Sequence, residues 1–370
     1  DLAVNAIQIV GESDGVFDDD DYILFYGWGP HRWYPGTGDF DQDRNPYSDI
    51  SCYFININSS DPPVRVTSVP NSTNSVTHSV NTYSYYDVHE QDFVSLVSGG
   101  QRWYGELFDT DLQRTITFNV PDIDNSVPLS FNSSMASNAN NTAGTSQTYS
   151  VNGSVLLSVA LPSASADYGR SVNSMQMTNP PSNLPLLVSV VRNSPDVLTY
   201  LDRILLNARR SLIFYGDQVN FRDLNSIGAG NVAEFSVQDL LQTDGFVWEI
   251  TDRHAPGLIS GSFSGSNYLF QLEVDQLREF VASDGQTFNS PIFVGEVVHQ
   301  DLHGLAEADY LIVTHKAFIS QSERLANLHR ENGLTVHVVT TEQVYNEFSS
   351  GALDAVAIRT FAKMFYDRGA

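Results

Sequence analysis

Four groups of side chains have types and spacings that could do chemistry. The most acidic is GESDGVFDDDDY, residues 11–22, which holds five aspartates and one glutamate. With Gly15 taken as the glycine of a calcium-binding loop, Asp14, Asp18 and Asp21 fall at ligand positions, and calcium is the one cofactor to expect. The match is broken at its first position, where Val10 stands instead of a carboxylate. The plainer reading is a solvated acidic turn between two strands, with Asp14-Gly15 supplying hairpin chemistry. His299, His303 and His315 form a second group. VVHQDLHG sets two imidazoles four residues apart, the spacing of a zinc pair on a helix, but Gly304 and the connecting character of the segment speak against a helix, and no HExxH is present. The sole thiol, Cys52, sits among alternating aromatics and isoleucines in DISCYFINI, a pattern that predicts a structural cysteine in a strand. No histidine has a sequence reason to act as its base. Finally, FYGWGPHRWY places Trp28, His31, Trp33 and Tyr34 together, either to stack sugars or a partner loop or to pack as an edge under the domain.

The elements that must position these groups divide the chain. Before about residue 306 the patterns are short strands and turn-rich loops. Residues 1–120 predict a β-rich domain with strands at 4–10, 22–26, 51–57, 64–69 and 114–120, a loop across YPGTGDFDQDRNP, and a short helix ending at Gly99. Residues 121–305 predict a β-sandwich domain. In its TYLDRILLNARRSLIFY, Ile204, Leu206, Ala208 and Leu212 alternate with polar residues as one buried face should. SNANNTAGTS reads as a loop tip.

From residue 306 to 370 strand and helix signals alternate. Tyr310–Thr314 is a β-branched run suited to a strand buried on both faces. A helix over 320–332 ends at Gly333, and a second strand covers 334–339. Thr340 and Gln343 form a capping box before a short helix. Asp354 caps a last helix, with Ile358, Phe361, Ala362 and Phe365 on one face. This β-α-β-α-α order opens a parallel sheet and leaves its edges unpaired, so the chain is expected to stop inside a domain and to leave an apolar face exposed through Phe361 and Phe365. THKAF stands where a dinucleotide site would need G-x-G-x-x-G.

The formal net charge is -25, from 44 acidic and 19 basic residues, which excludes nucleic acid as a natural partner. It suits a cation-rich, extracellular setting. One cysteine allows neither an internal disulfide nor a thiolate metal cluster.

Two stretches resemble the gingipain family of cysteine peptidases, in the branch that serves as signal peptidase and sortase of the type IX secretion system. ADYLIVTHKAF and LANLHRENGLTVHVVTTEQVYNEFSSGALDAVAIRTFAKMFYDRGA are similar to the opening of the family's catalytic domain. FVGEVVHQDLHGL, VGESDGVFDDDDYILFYGWGPHRW and NPYSDISCYF are similar to the region before it. The resemblance implies β-sandwich or jelly-roll-like domains followed by the start of a caspase-like α/β domain. It also implies a cell-surface peptidase, on the extracellular face of the outer membrane, that removes C-terminal signal domains from cargo and joins the cargo to anionic lipopolysaccharide. Surface and outer-membrane secretion proteins would be its partners. The family's catalytic His and Cys match no position here, so no catalytic residue is carried over and the fragment is expected to be inactive. The competing expectation is a non-catalytic surface module for binding or adhesion, fused to a degenerate peptidase-like domain.

Overall fold

The computed structural model describes residues 3–57, 62–100, 102–138, 145–164, 167–181, 185–193 and 197–369. The loop tip expected at SNANNTAGTS falls largely on 139–144, outside the described residues. Two compact units emerge. One comprises Asp1–Arg32, Asp43–Arg65 and Asn289–Ala370, the other Trp33–Gln42 and Val66–Phe288.

The larger unit contains two β-sandwiches. In the first, a sheet ordered Gly169–Met177, Leu129–Ser137, Thr199–Ser211, Thr82–Glu90 faces one ordered Ser154–Ala160, Ser146–Val151, Leu186–Arg192, Gln113–Phe118. Alternation drives the pairing: in Ser146–Val151 and Leu186–Arg192 every second residue is buried, and their inward sets meet Leu129, Phe131, Ile204 and Leu206 in one core. The second sandwich joins Gln218–Arg222, Glu279–Ser283, Phe246–Glu249, Gly257–Ile259 and Thr67–Val69 to a sheet of Ser262–Ser264, Asn267–Glu273, Val232–Gln238 and His78–Val80. Its core is a phenylalanine cluster in which Phe235 lies 4.8 Å from Phe280 and 5.0 Å from Phe270, centroid to centroid.

Strands are thus paired across the division drawn at 120 and 121. Gln113–Phe118 hydrogen bonds with Leu186–Arg192, and Thr67–Val69 lies parallel to Gly257–Ile259. Sequence distance hides such partners, because a strand's own pattern reports its buried face and not its neighbour. The mainly β class with sandwich domains is as expected.

Ile204, Leu206, Ala208 and Leu212 are all buried in or just beyond the 13-residue strand Thr199–Ser211. Arg210, at its end, is buried without a carboxylate. Its guanidinium lies 4.7 to 5.6 Å from the ring centroids of Tyr215, Tyr85 and Tyr83, and donates to the Pro121 carbonyl and the Tyr215 hydroxyl, both at 2.6 Å. Burial raises the pKa of the Tyr83 and Tyr85 phenols, so these two rings stay neutral beside the charge.

Local readings were corrected in three places. YPGTGDFDQDRNP is not a loop throughout: Arg32–Pro35 and Phe40–Asp43 form a hairpin. Its strand FDQD is polar and carries no hydrophobic alternation, so nothing in the pattern marked it. What holds it is Asn207, whose side-chain Oδ1 accepts from the Phe40 backbone N–H at 2.8 Å while Nδ2 donates to the Phe40 carbonyl at 2.9 Å. The helix expected to end at Gly99 is absent. Thr82–Glu90 is a strand, and the chain then turns back through an isolated bridge between Val94 and Tyr104. Residues 51–57 take no strand partner.

Asn207→Ala removes both partners of Phe40, leaving a buried amide and carbonyl unsatisfied at a cost of about 1–3 kcal/mol. Urea unfolding will show the loss. Amide exchange will rise across 33–42 while the interior of Thr199–Ser211 stays protected; an unchanged midpoint contradicts the clamp.

Candidate functional site

The α/β segment lies in the smaller unit. Tyr310–Thr314 and Val336–Thr340 pair in parallel, in register from Tyr310 with Val336 to Thr314 with Thr340. Between them runs α1, Ile319–Glu331, ended by Asn332 and by Gly333 at φ 86°. α2, Thr341–Phe348, opens on the expected capping box, in which the Thr340 hydroxyl accepts from the Gln343 N–H at 3.1 Å and the Gln343 side chain accepts from the Thr340 N–H at 2.8 Å. α3, Ala355–Asp367, starts from Asp354, whose carboxylate accepts from the Val356 N–H at 2.7 Å.

In an α/β sheet chemistry gathers at the carboxyl ends of the strands. Here that edge is formed by Thr314, His315, Thr340 and the starts of the following helices. Every polar group named there is engaged in folding the turn. Ser322 donates to the Thr314 hydroxyl at 2.9 Å, and the His315 ring nitrogen accepts from the Ala317 N–H at 3.2 Å, capping the turn Lys316–Phe318. Lys316 pairs with Glu342 at 2.7 Å, across the two strand ends and largely in solvent. At this edge the Thr314 hydroxyl and one His315 ring nitrogen serve the local fold.

The connector 300–304 is held to α2 chiefly by one carboxylate, beside the bonds that Gln300 makes with the Gln343 carbonyl and the Asn346 amide. Glu347 accepts from the Leu302 N–H at 2.7 and 2.9 Å, from the His303 N–H at 3.2 Å, from His303 Nδ1 at 2.7 Å and from the Gln300 amide at 2.8 Å. Burial raises its pKa, but the bonds from Leu302, Gln300 and His303 outweigh burial and hold the carboxyl below the usual glutamate range. His303 stacks on Phe348 at 4.5 Å. Leu302 drops into the core with Val339, Val344, Phe361 and Phe365. The apolar face expected to lie exposed is therefore covered at Phe361 and Phe365, 0 % and 4 % exposed, whereas Ala362 of the expected buried set points outward. The cover is shared by Leu302 of this upstream connector, Val344 and Phe348 of α2 and Val339 of the second strand.

The three histidines take separate places in the fold. Residues 297–304 form no helix, His303 serves Glu347, His299 is exposed and His315 caps a turn. Cys52 lies in the same unit against the α2–α3 turn. A Cβ on Gly351, at φ 83°, would fall 3.1 Å from the Cys52 Cβ and 3.3 Å from the Phe54 ring, so the glycine is required both by its backbone and by this approach. No histidine among the described residues is hydrogen bonded to Cys52.

The acidic turn joins the antiparallel strands Ile7–Val10 and Tyr22–Phe25. Asp14 accepts from the Val16 N–H at 2.9 Å, Asp21 from Asp18 N–H at 3.0 Å and Asp18 from Asp20 N–H at 3.2 Å. Each of the three carboxylates thus closes its own turn, and among the described residues no group of three or more acidic, His or Cys side chains is placed to hold a metal ion. The aromatics part company. Trp28 packs edge-on to Tyr53 at 5.8 Å and its N–H donates to the Tyr53 hydroxyl at 2.7 Å, whereas Trp33 stacks on Tyr86 at 3.8 Å in the other unit. His31 binds Asp49 at 3.0 Å. These rings are engaged in packing. Glu347 was the functional residue that its motif, YNEFSSG, carried without a visible role; the only hint was an acid on the buried side of a short helix.

Comparison with known proteins follows this geometry. Residues 303–370 match the model of peptidase family C25, and the match begins at the His303 clasp. No curated protein shows a significant sequence match. The whole chain is similar to dimeric latent PorU from Porphyromonas gingivalis, with a TM-score of 0.81 and 25% identity, covering 100% of this chain and 35% of that one. Two carbohydrate-binding modules also align, one from Cellvibrio mixtus lichenase 5A in complex with cellotriose and one from LamC of Zobellia galactanivorans. They cover 34% of this chain and 95% and 98% of theirs, at 14% and 13% identity and a TM-score of 0.21, a likeness too low to carry an argument. The chain is PorU-like, its β domains lead into the start of a caspase-like α/β fold, and it spans about a third of the length of the PorU chain it matches.

Replacing Glu347 by Gln keeps the size and removes the charge that four donors address, lowering stability at pH 7 by about 1.5–3 kcal/mol. Because the folded pKa is depressed, the wild-type advantage is present above the unfolded glutamate pKa and disappears as pH falls through the folded value. Urea midpoints of the two proteins will converge on acidification from pH 7 toward 3; a gap that stays constant rules out the charged clasp.

Proposed function

We propose that this chain is the amino-terminal part of a cell-surface cysteine peptidase and sortase of a type IX secretion system. The observation that carries the reading is the likeness of the entire chain to latent PorU, supported by the C25 match at 303–370. In this reading the parent protein removes C-terminal signal domains from secreted cargo. A thiolate attacks the peptide carbonyl, the signal domain leaves with the new amino end, and the acyl-enzyme passes to water or to an amine on anionic lipopolysaccharide. The β domains then dock surface and outer-membrane secretion partners. No helix among the described residues is long and apolar enough to cross a membrane.

The nucleophile of that reaction is not Cys52, which packs on Gly351 without an imidazole partner. The strand ends at Thr314 and Thr340 supply the platform, and the residues that react come from elsewhere in the parent.

The full-length protein carrying Cys52→Ala, assayed for release of a C-terminal signal domain from purified cargo, will keep kcat/KM within roughly twofold of wild type. Residues 1–370 alone will release none. Loss of processing in a folded Cys52→Ala protein, or turnover by the isolated chain, overturns the assignment.

A further inference from the structure

A polar groove runs over the first sandwich, in the unit formed by Trp33–Gln42 and Val66–Phe288. Its floor is the outer face of two paired strands. Ser130 and Asn132 alternate with the buried Leu129 and Phe131, and lie opposite Gln176 and Ser174 in register. The hairpin Arg32–Pro35 and Phe40–Asp43 forms its wall. Phe40, clamped by Asn207, covers the next strand of the same sheet, so the hairpin shields half the face and leaves the other half open beside it. The space is about 480 Å³, enough for a small molecule of one or two rings.

The chemistry of the lining is narrow. Most of it is amides, hydroxyls and the carboxylates of Asp39 and Asp41, with Phe40 and Met175 as its apolar members and no cationic side chain. Asp41 is turned to Arg203 at 2.7 Å. The Ser174 hydroxyl donates to Asn132 Oδ1 at 2.6 Å, which fixes the amide so that its Nδ2 is presented to the groove. An anion would meet the carboxylates of Asp39 and Asp41, and the Arg203 cation beside them is already paired with Asp41. An apolar ligand would meet amides and hydroxyls that it could not satisfy. A metal ion has no convergent set of three ligands among the described residues. What remains is a neutral molecule rich in hydroxyls, for which a carboxylate and an amide on opposite sides offer acceptors and donors at once.

We infer that this groove between the 32–43 hairpin and the Leu129–Ser137 and Gly169–Met177 strands is a binding site for a neutral saccharide, with Asp39 accepting from vicinal hydroxyls and Asn132 and Gln176 donating to ring or hydroxyl oxygens. The floor is a regular sheet and the wall is tied by two hydrogen bonds, so little ordering entropy opposes binding. The site stands independently of the peptidase reading. It would hold the chain against a glycosylated surface whether or not the parent cleaves anything.

The test is binding of residues 1–370 to an array of neutral glycans, followed by calorimetric titration with the best neutral di- or trisaccharide. Inorganic phosphate and calcium chloride serve as the competing probes. The account expects saturable binding of at least one neutral glycan. Affinity should fall about tenfold in Asn132→Ala and again in Asp39→Asn. Both residues are at the surface of the unit, and an unchanged urea midpoint will show that the variants are folded. Binding confined to phosphate or calcium, no binding across the array, or glycan binding that both folded variants retain unchanged overturns the proposal.

Discussion

One carboxylate decides whether the α/β segment is a structure or only a sequence. Two parallel strands and α2 cover Phe361 with Val339, Val344 and Phe348 and leave room for one further layer. The connector 300–304 supplies that layer, with Leu302 as its plug, but a chain of this kind crossing a helix end exposes backbone N–H groups that must find acceptors. Glu347 provides them at one point, binding three side-chain or backbone groups of Leu302 and His303 and the Gln300 amide besides. Without the charge only the burial of Leu302 and the Gln300 bonds to α2 keep the connector in place. The match to the C25 model begins at His303, the residue where this clasp closes.

The β domains solve a related problem with cations. Arg209 pairs with Asp223 and also reaches Ser84 and the Thr82 carbonyl, while Arg222 lies 4.6 Å from the Tyr86 ring centroid, and Arg210 sits in its cage of tyrosines. These contacts fall where the chain leaves the first sandwich at Ser211 and enters the second at Gln218. A protein with so few basic residues places three of them at this junction. Buried guanidinium groups need several partners at once, and that demand fixes the register of Thr82–Glu90 against Thr199–Ser211.

The Asn207→Ala outcome tests the kind of feature that the sequence conceals. The β-branched run Tyr310–Thr314 was legible as a strand by residue type, although Tyr310 is exposed and Leu311, Ile312 and Val313 are half-buried rather than covered on both faces, and the buried face at Ile204, Leu206 and Ala208 was legible by its spacing. So were the Thr340 capping box and the Asp354 cap, which are local hydrogen bonds. The 32–43 hairpin was not legible, since its stability comes from Asn207, far along the chain. The cover over Phe361 was missed for the same reason: Leu302 and Glu347 are far apart in sequence and neither motif names the other. Of the candidate site residues, Asp14, Asp18 and Asp21 were chosen by their spacing from Gly15, and spacing does not reveal that each carboxylate also accepts a backbone N–H within its own turn.

The likeness to PorU joins these two architectures in one chain, and the proposed chemistry places the reactive thiol outside it. Trapping with a thiol-directed peptidyl ketone, followed by peptide mass spectrometry of the full-length protein, reads this directly. The account predicts a single stoichiometrically labelled cysteine beyond residue 370, with Cys52 unmodified in the folded protein. Labelling of Cys52, or of no cysteine at all in a protein that processes cargo, contradicts it.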